Sequence, residues 1–428
     1  RVAVIGVKGR GDAHISYFLK MQDVEIVAIA DVDPNVVEGA LAKIEKASGR
    51  RPVHHTDVRK LMEDKSIDAV SIATTNQTHS LFGIWALQAG KHAYIEKPMS
   101  HNVFEGQKVV EAQKKYGKVV QHGTQSRSMK VMRDAMAFLH SGALGKVKLA
   151  RGFCYKQRKS IGSFADGEAP KGVDYNLWLG PAPVRPFNKN RFHYNWHWYW
   201  DYGNGDIGNQ GVHELDKARW GINKQEMPSS VQSIGGRLGY KDDAETPNTQ
   251  IGIADYGDVQ IIFEVRGLDT DPFKAGADKA ASLKVGNTFE CTEGTLVAPT
   301  YSSAIAYNPK GEVVQKFGGG DDSMHVRNFL DAIKANKPEM VNATALDGHL
   351  SSSLCHLMNI SFRVGTPKPL ATEKAFEKSE TGDDAFSRMK SHLKENGVDL
   401  GTTNYVQGRK LKIDPKVEAI VDDPEAAK

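Results

Sequence analysis

The sequence predicts an α/β domain on a doubly wound parallel sheet, followed by an α+β domain with a mainly antiparallel sheet. Three observations predict it. The first 31 residues read strand, glycine turn, helix, strand, acid. Short strands and helices then alternate as far as Gly123. Beyond Gly123 the candidate strands are longer and more alternating, as in a sheet with one polar face.

Val2-Ala3-Val4-Ile5 is an uninterrupted apolar run, as a parallel strand buried on both faces requires. Gly6-Val7-Lys8-Gly9-Arg10-Gly11 follows at once. Residues 12–21 fit a helix, with Ile15, Phe18 and Leu19 at three-to-four spacing. Residues 24–30 form a second apolar strand that ends on Asp31. This is the order of a dinucleotide-binding βαβ unit. Gly6, Gly9 and Gly11, with Lys8 and Arg10 between them, let main-chain N–H groups and a helix N-terminus approach a pyrophosphate. Asp31 stands where a ribose hydroxyl is bound. Lys8 takes the middle glycine position of the usual pattern, with Gly9 next to it.

Residues 35–48 fit a helix, and another unit over 54–73 ends in the strand 67–73. The polar turn Thr74-Thr75-Asn76-Gln77-Thr78-His79 follows, then a helix over 80–89 stopped by Gly90. The strand 91–95 runs into Glu96-Lys97-Pro98, and the helix 102–116 leads to a strand over 119–123. Ligands of parallel sheets sit outside the carboxyl ends of the strands. The glycine turn, Asp31, Thr74, Asn76, His79, Glu96 and Lys97 all fall there, so one site is expected to gather them.

Residues 124–370 form the second domain. It opens with a helix over 132–140 and a strand over 148–153. Further strands are expected at 231–238, 249–254, 259–265 and 287–292, and long helices at 324–336 and 343–364. Residues 371–428 are charged and poorly patterned and read as a peripheral arm or tail.

A chain of 428 residues that is 40% hydrophobic and 25% charged has ample material for two cores. A formal net charge of +4 gives no basis for nucleic-acid or anionic-membrane binding, and no run is long and apolar enough to span a bilayer. Cys154, Cys291 and Cys355 are far apart and form neither a disulfide framework nor a metal motif. The chain starts at Arg1 directly in a strand, which suggests that an upstream segment has been removed.

Asn76-x-x-His79, Ala89-Gly90-Lys91-His92 and Glu96-Lys97-Pro98-Met99 together resemble the Gfo/Idh/MocA oxidoreductases. The resemblance runs from Val2 to about Pro369. It implies an N-terminal Rossmann domain and a second domain with a large open sheet. It also implies NAD or NADP, and sugar or polyol substrates that react at a hydroxyl-bearing carbon. The lysine of the Glu-Lys-Pro motif is catalytic in that family, and Lys97 holds its position; a cis bond before Pro98 is expected. The family's second signature pairs an Asp with a His four residues later. Here His213 matches the histidine, but Asn209 stands in place of the acid. Asn209 can orient a partner but cannot take up a proton, so Lys97 and His213 are the proton-transfer candidates. The run Gly208-Asn209-Gln210-Gly211-Val212-His213 and its tryptophan-rich flank resemble a secreted branch often exported with a twin-arginine leader. A periplasmic location is therefore expected, with the cytoplasm as alternative. A homo-oligomer, dimer or tetramer, is expected from the family's habit of packing open sheets face to face.

Hydride transfer needs a base for the hydroxyl proton and a positive group for the developing alkoxide. Lys97 supplies charge and His213 has the titration range of a base. Asp31 repels a 2′-phosphate, which favours NAD over NADP, though Lys8 and Arg10 lie close. Aromatic faces with polar edges suit sugars, which makes His193, Trp196 and Tyr199 substrate candidates, with Gln125 and Arg127 on the following linker. His193 and His197 are four apart, yet no carboxylate at zinc spacing joins them, so no metal is expected. The reading is an NAD-dependent oxidoreductase of a sugar, glycoside or polyol. The alternative is an NAD-dependent glycosidase that oxidises its substrate transiently, and a non-catalytic sensor is a third class.

Overall fold

The computed structural model describes residues 1–275, 281–376 and 379–427. The first sheet is built from β1 (Val2–Ile5), β2 (Ile26–Ala30), β3 (Val53–His55), β4 (Ala69–Ile72), β5 (His92–Ile95) and β6 (Val120–His122). All pairs are parallel, in the order β3-β2-β1-β4-β5-β6. The reversal between β1 and β4 opens a crevice at their carboxyl ends. The crossovers are α1 (Arg10–Leu19), α2 (Pro34–Ser48), α3 (Val58–Glu63), α4 (Asn76–Gln88) and α5 (Val103–Tyr116). Every residue of β1 and β4 is buried, which is why these strands read as unbroken apolar runs. Helix ends follow local chemistry. Asp33 caps α2 and Asn102 caps α5 by accepting main-chain N–H bonds, and Gly49 and Gly117 close those helices with left-handed backbone.

The second domain starts with α6 (Lys130–His140) and β7 (Val147–Tyr155). A long irregular segment then holds α7 (Tyr175–Leu179) before α8 (Gly205–Asn209) and α9 (Gly211–Gly221). The rest of the sheet comes from β8 (Ser230–Gly236), β9 (Thr249–Asp255), β10 (Gln260–Arg266), β13 (Val285–Cys291), β14 (Gly294–Ala298), β15 (Ser303–Tyr307) and β16 (Val313–Gly318); the hairpin β11 (Phe273–Ala275) and β12 (Ala281–Leu283) stands apart. Then come α10 (Ser323–Ala335), α11 (Ala345–Arg363), β17 (Thr366–Pro369), α12 (Glu380–Glu395), β18 (Asn404–Gln407), β19 (Leu411–Asp414) and β20 (Ala419–Ile420). The sheet is antiparallel apart from β7 against β10.

Two expectations are corrected here. The second sheet does not present a polar face at its centre. All of β8 and six residues of β10 are buried. One face packs on α9 and α11 through Ala150, Cys154, Ile261 and Phe263. The other packs on α12 through Leu149, Ile251, Ile253 and Ile262, while the β11–β12 hairpin covers Phe153 and Tyr155. The second correction concerns residues 371–428, whose described part is no loose arm. Phe386, Met389 and Leu393 of α12 are buried, and β18 and β19 both pair with β8. Arg388 ties α12 down with a two-pronged ion pair to buried Glu264, at 2.7 and 2.8 Å. The central strands of that face are thus covered by the chain itself.

Truncating Phe386 to Ala should cost about 3–5 kcal/mol, because the cavity opens under the sheet's centre. Urea unfolding checks this: a loss under about 1 kcal/mol would restore the peripheral-arm reading.

Candidate functional site

A cleft of about 820 Å³ lies along the carboxyl ends of the first sheet and is roofed by the irregular segment before α8. The site is easiest to build from the glycine turn. Gly6 has φ +79°, and a Cβ there would stand 2.6 Å from the Ala73 carbonyl. A Cβ on Gly11 would fall 1.7 Å from the Gly6 oxygen, so only glycine lets the turn close. Gly9 differs. It needs left-handed backbone, at φ +61°, but a Cβ there would meet nothing within 4 Å. Among the described residues, the N–H groups of Lys8, Gly9 and Arg10 have no protein acceptor. Free N–H groups at a helix start, with open space before them, fit a pyrophosphate.

The Arg10 side chain does not join that cradle. Its Nε donates to Glu96 Oε1 at 2.7 Å. His14 Nε2 meets the same oxygen at 3.0 Å, and the Lys97 N–H donates to Oε2 at 3.1 Å. Burial alone would raise the Glu96 pKa. Arg10, His14 and Lys97 overcome it and hold the carboxyl well below its usual range. Gln125 supports this cluster rather than substrate: with its amide turned to suit its neighbours, it accepts from Arg10 and donates to the Gly123 carbonyl.

At the other end of the cleft, Asp31 accepts N–H bonds from Val7 and Asp33, both at 3.0 Å. Burial raises its pKa despite those donors. Asp33 lines the same end, and Asp57 lies there paired with Arg59, so Asp31 and Asp33 oppose a 2′-phosphate. The dinucleotide that fits is NAD, and Lys8 and Arg59 are cations beside it.

Lys97 lies at the end of β5, before a cis bond to Pro98. Its Nζ donates to the Asn209 main-chain oxygen at 2.6 Å and to Asn209 Oδ1 at 3.1 Å. Burial depresses its pKa to about 8, against the pull of Glu96. His213, on α9, is 8% exposed and its Nδ1 is buried without a partner. Burial and then the Lys97 ammonium hold its pKa well below 6.5, so it stays neutral. The expectation that His213 titrates near neutrality is thereby corrected. His79 lines the cleft but is a brace, with Nδ1 2.7 Å from the Pro98 carbonyl and Nε2 3.1 Å from that of Thr74. Thr74 Oγ1 pairs with Thr78 Oγ1 at 2.7 Å.

Several candidates lie elsewhere. Asn76 is buried and donates to Asn204 Oδ1 at 2.9 Å, tying the two domains together. Arg127 is buried against Asp216, at 2.9 and 3.0 Å, and against Asp347 at 3.1 Å. Tyr199 packs in an aromatic cluster with Leu179, Trp196 and Tyr202. His193 lines the cleft too, but it meets Asp33 Oδ2 at 2.7 Å and so anchors the roof at the ribose end. Trp196 does line the cleft, and its Nε1 donates to the His193 carbonyl at 3.0 Å. The structure also brings in residues that pattern reading missed. Gln210 donates to Tyr301 Oη at 2.5 Å and to Glu214 at 3.3 Å, behind His213. Tyr301 sits in a connection with no motif of its own.

Replacing Asp31 with Ala should weaken NAD binding by about 1–3 kcal/mol, since a charged acceptor and the turn it braces are lost together. Titration of tryptophan fluorescence with NAD reads this directly, and an unchanged affinity would remove Asp31 from the site.

Residues 1–124 match the family model of the Gfo/Idh/MocA oxidoreductases described as an NAD-binding Rossmann fold, and residues 124–385 match that of the family's C-terminal alpha/beta domain. A glycosyl hydrolase family 109 protein of Shewanella putrefaciens is 34% identical over 115 residues, 26% of this chain and 25% of that protein. The alpha-N-acetylgalactosaminidase of Shewanella oneidensis is 33% identical over 115 residues, with the same shares, 26% and 25%. The match thus spans about a quarter of these relatives. Among solved structures, the WlbA dehydrogenase of Bordetella pertussis, in complex with NADH and UDP-GlcNAcA, aligns with TM-score 0.60 at 18% identity, over 85% of this chain and 96% of that one. GenD2 from gentamicin A biosynthesis, in complex with NAD, aligns with TM-score 0.59 at 16% identity, over 83% and 92%. The chain belongs to the Gfo/Idh/MocA oxidoreductase family, with an NAD-binding Rossmann domain followed by the family's C-terminal domain.

Proposed function

We propose that this protein oxidises or reduces a hydroxyl-bearing carbon of a sugar, glycoside or polyol with NAD. One observation carries the reading: a buried lysine with a depressed pKa shares one cleft with the free N–H groups of the glycine turn. Bound NAD would supply the hydride acceptor or donor. The chain's own residues must move the hydroxyl proton. With a pKa of about 8, Lys97 passes between ammonium and amine in the working range. As amine it takes the proton during oxidation; as ammonium it polarises and protonates the carbonyl oxygen in reverse. Asn209 fixes Nζ with two oxygens and carries no proton itself. His213, whose pKa burial and then the Lys97 ammonium push well below 6.5, leaves the proton to Lys97.

The glycosidase alternative has a specific support, the similarity of 115 residues of the chain to the Shewanella proteins. Both readings use Lys97 and NAD. They separate when the NAD-loaded protein is offered free sugars and aryl glycosides. Net NADH with a free sugar supports the oxidoreductase. Aryl release without net NADH supports the glycosidase, and neither response would reject both.

Two further outcomes follow from Lys97. Lys97→Ala should abolish turnover while NAD still binds; near-normal turnover there contradicts the assignment. The oxidation rate should rise with pH through one limb near 8, because the amine is the acceptor, with no limb near 6.5. In Asn209→Asp a carboxylate replaces the amide oxygen 3.1 Å from Nζ. The limb should then move up by about one unit or more, and a limb that stays put would mean Lys97 is not the titrating group.

A further inference from the structure

One more polar side chain reaches this cleft from the second domain. His197 lies in the short turn Asn195–Trp198 and lines the cleft together with Lys97 and Asn209. Its ring stacks on Trp196 with centroids 3.6 Å apart. Its backbone is pressed against Gly203, where a Cβ would stand 2.6 Å from the His197 Cα. The ring is thus held by the stack and its backbone by Gly203.

Its hydrogen bonds fix what it can do. Nδ1 is 2.5 Å from the Tyr194 main-chain oxygen. A carbonyl oxygen only accepts, so Nδ1 carries the proton, and in the neutral ring Nε2 is left as an acceptor. His197 is 9% exposed, yet no protein group bonds Nε2, which is absent from the fully enclosed unpartnered atoms of the described residues. Burial, and then the nearby Lys97 ammonium, keep the ring neutral, with its pKa pushed down to about 3. It therefore leaves the proton to Lys97.

We propose that His197 Nε2 accepts a hydrogen bond from a second substrate hydroxyl, close to the one that reacts at Lys97, and so selects polyhydroxy substrates over simple alcohols. This rests on the oxidoreductase reading above. The second bond fixes which carbon faces Lys97. A substrate lacking that hydroxyl leaves a buried acceptor unpaired, and sites built to bond a hydroxyl discriminate strongly against its absence.

The decisive variant is His197→Asn. Its amide keeps a donor for the Tyr194 oxygen and removes the Nε2 acceptor, whereas His197→Gln places an amide oxygen nearer Nε2. In the Asn variant, NAD affinity and melting temperature should stay as in the wild type. Its kcat/KM for the hydroxylated substrate should fall about tenfold to a hundredfold, with much less change for the matched deoxy analogue. The Gln variant should recover part of the loss. An Asn variant that keeps the wild-type preference for the hydroxylated substrate overturns the assignment. Imidazole nitrogen NMR of His197 gives a readout without turnover. A neutral Nδ1–H ring is expected across about pH 5–8, and a ring that protonates there, or carries its proton on Nε2, overturns the assignment as well. If the wild type reduces its NAD with no sugar or polyol, the oxidoreductase reading fails and this one falls with it; an unaffected Asn variant beside an active wild type sinks His197 alone.

Discussion

The buried carboxylate of Glu96 is the interaction on which the site depends. It is 3% exposed and gathers three donors from different places: Arg10 in the glycine turn, His14 on α1 and the main chain of Lys97. Removing it would leave buried His14 without that acceptor and Arg10, partly open to solvent, without its ion pair. Its neighbours are shaped to keep it. A Cβ on Gly123 would approach the carboxylate to 2.9 Å, so glycine is required opposite it. One acid therefore sets both the cofactor turn and the direction in which Lys97 leaves β5.

The second domain works on Lys97 from the other side. Asn209, at the end of α8, supplies the two oxygens that hold Nζ. The helices behind it are dense with buried charge. Arg127, Asp216, Arg219 and Asp347 interlock within the second domain, and Glu214, Lys217 and Gln210 lie close together behind His213. These ion pairs brace the helix that carries His213. The roof is held likewise. His193 bonds Asp33 and the Asp174 N–H bonds the Val32 carbonyl, so the second domain closes over the ribose end of the cleft.

Local chemistry was readable where a residue's role is set by its neighbours in the chain. The glycine turn, the strand ends and Glu96-Lys97-Pro98 fall into this class, and all of them meet in one cleft. Misreadings arose where the partner is remote. Asn76 answers to Asn204, and Arg127 to Asp216 and Asp347, over separations of 128, 89 and more residues. A polar residue at a strand end looks the same whether it faces ligand or another domain. α12 is a different case. Phe386, Met389 and Leu393 carry helical spacing, but the charges between them masked the stripe, and the sheet face it covers is assembled from strands more than a hundred residues earlier. His213 shows the limit for titration. Its residue type suggests a base near neutrality, while burial beside an ammonium pushes its pKa well below that range. The proton-carrying role then rests on Lys97.

A lysine titration measures that claim most directly. Heteronuclear NMR of the side-chain amines, with Lys97 assigned by its absence in Lys97→Ala, reports its protonation without any substrate. The account predicts a midpoint near 8, well below the ordinary 10.5 of lysine. A midpoint at the ordinary value would contradict it, because an ammonium that holds its proton through the working range cannot accept one from a hydroxyl.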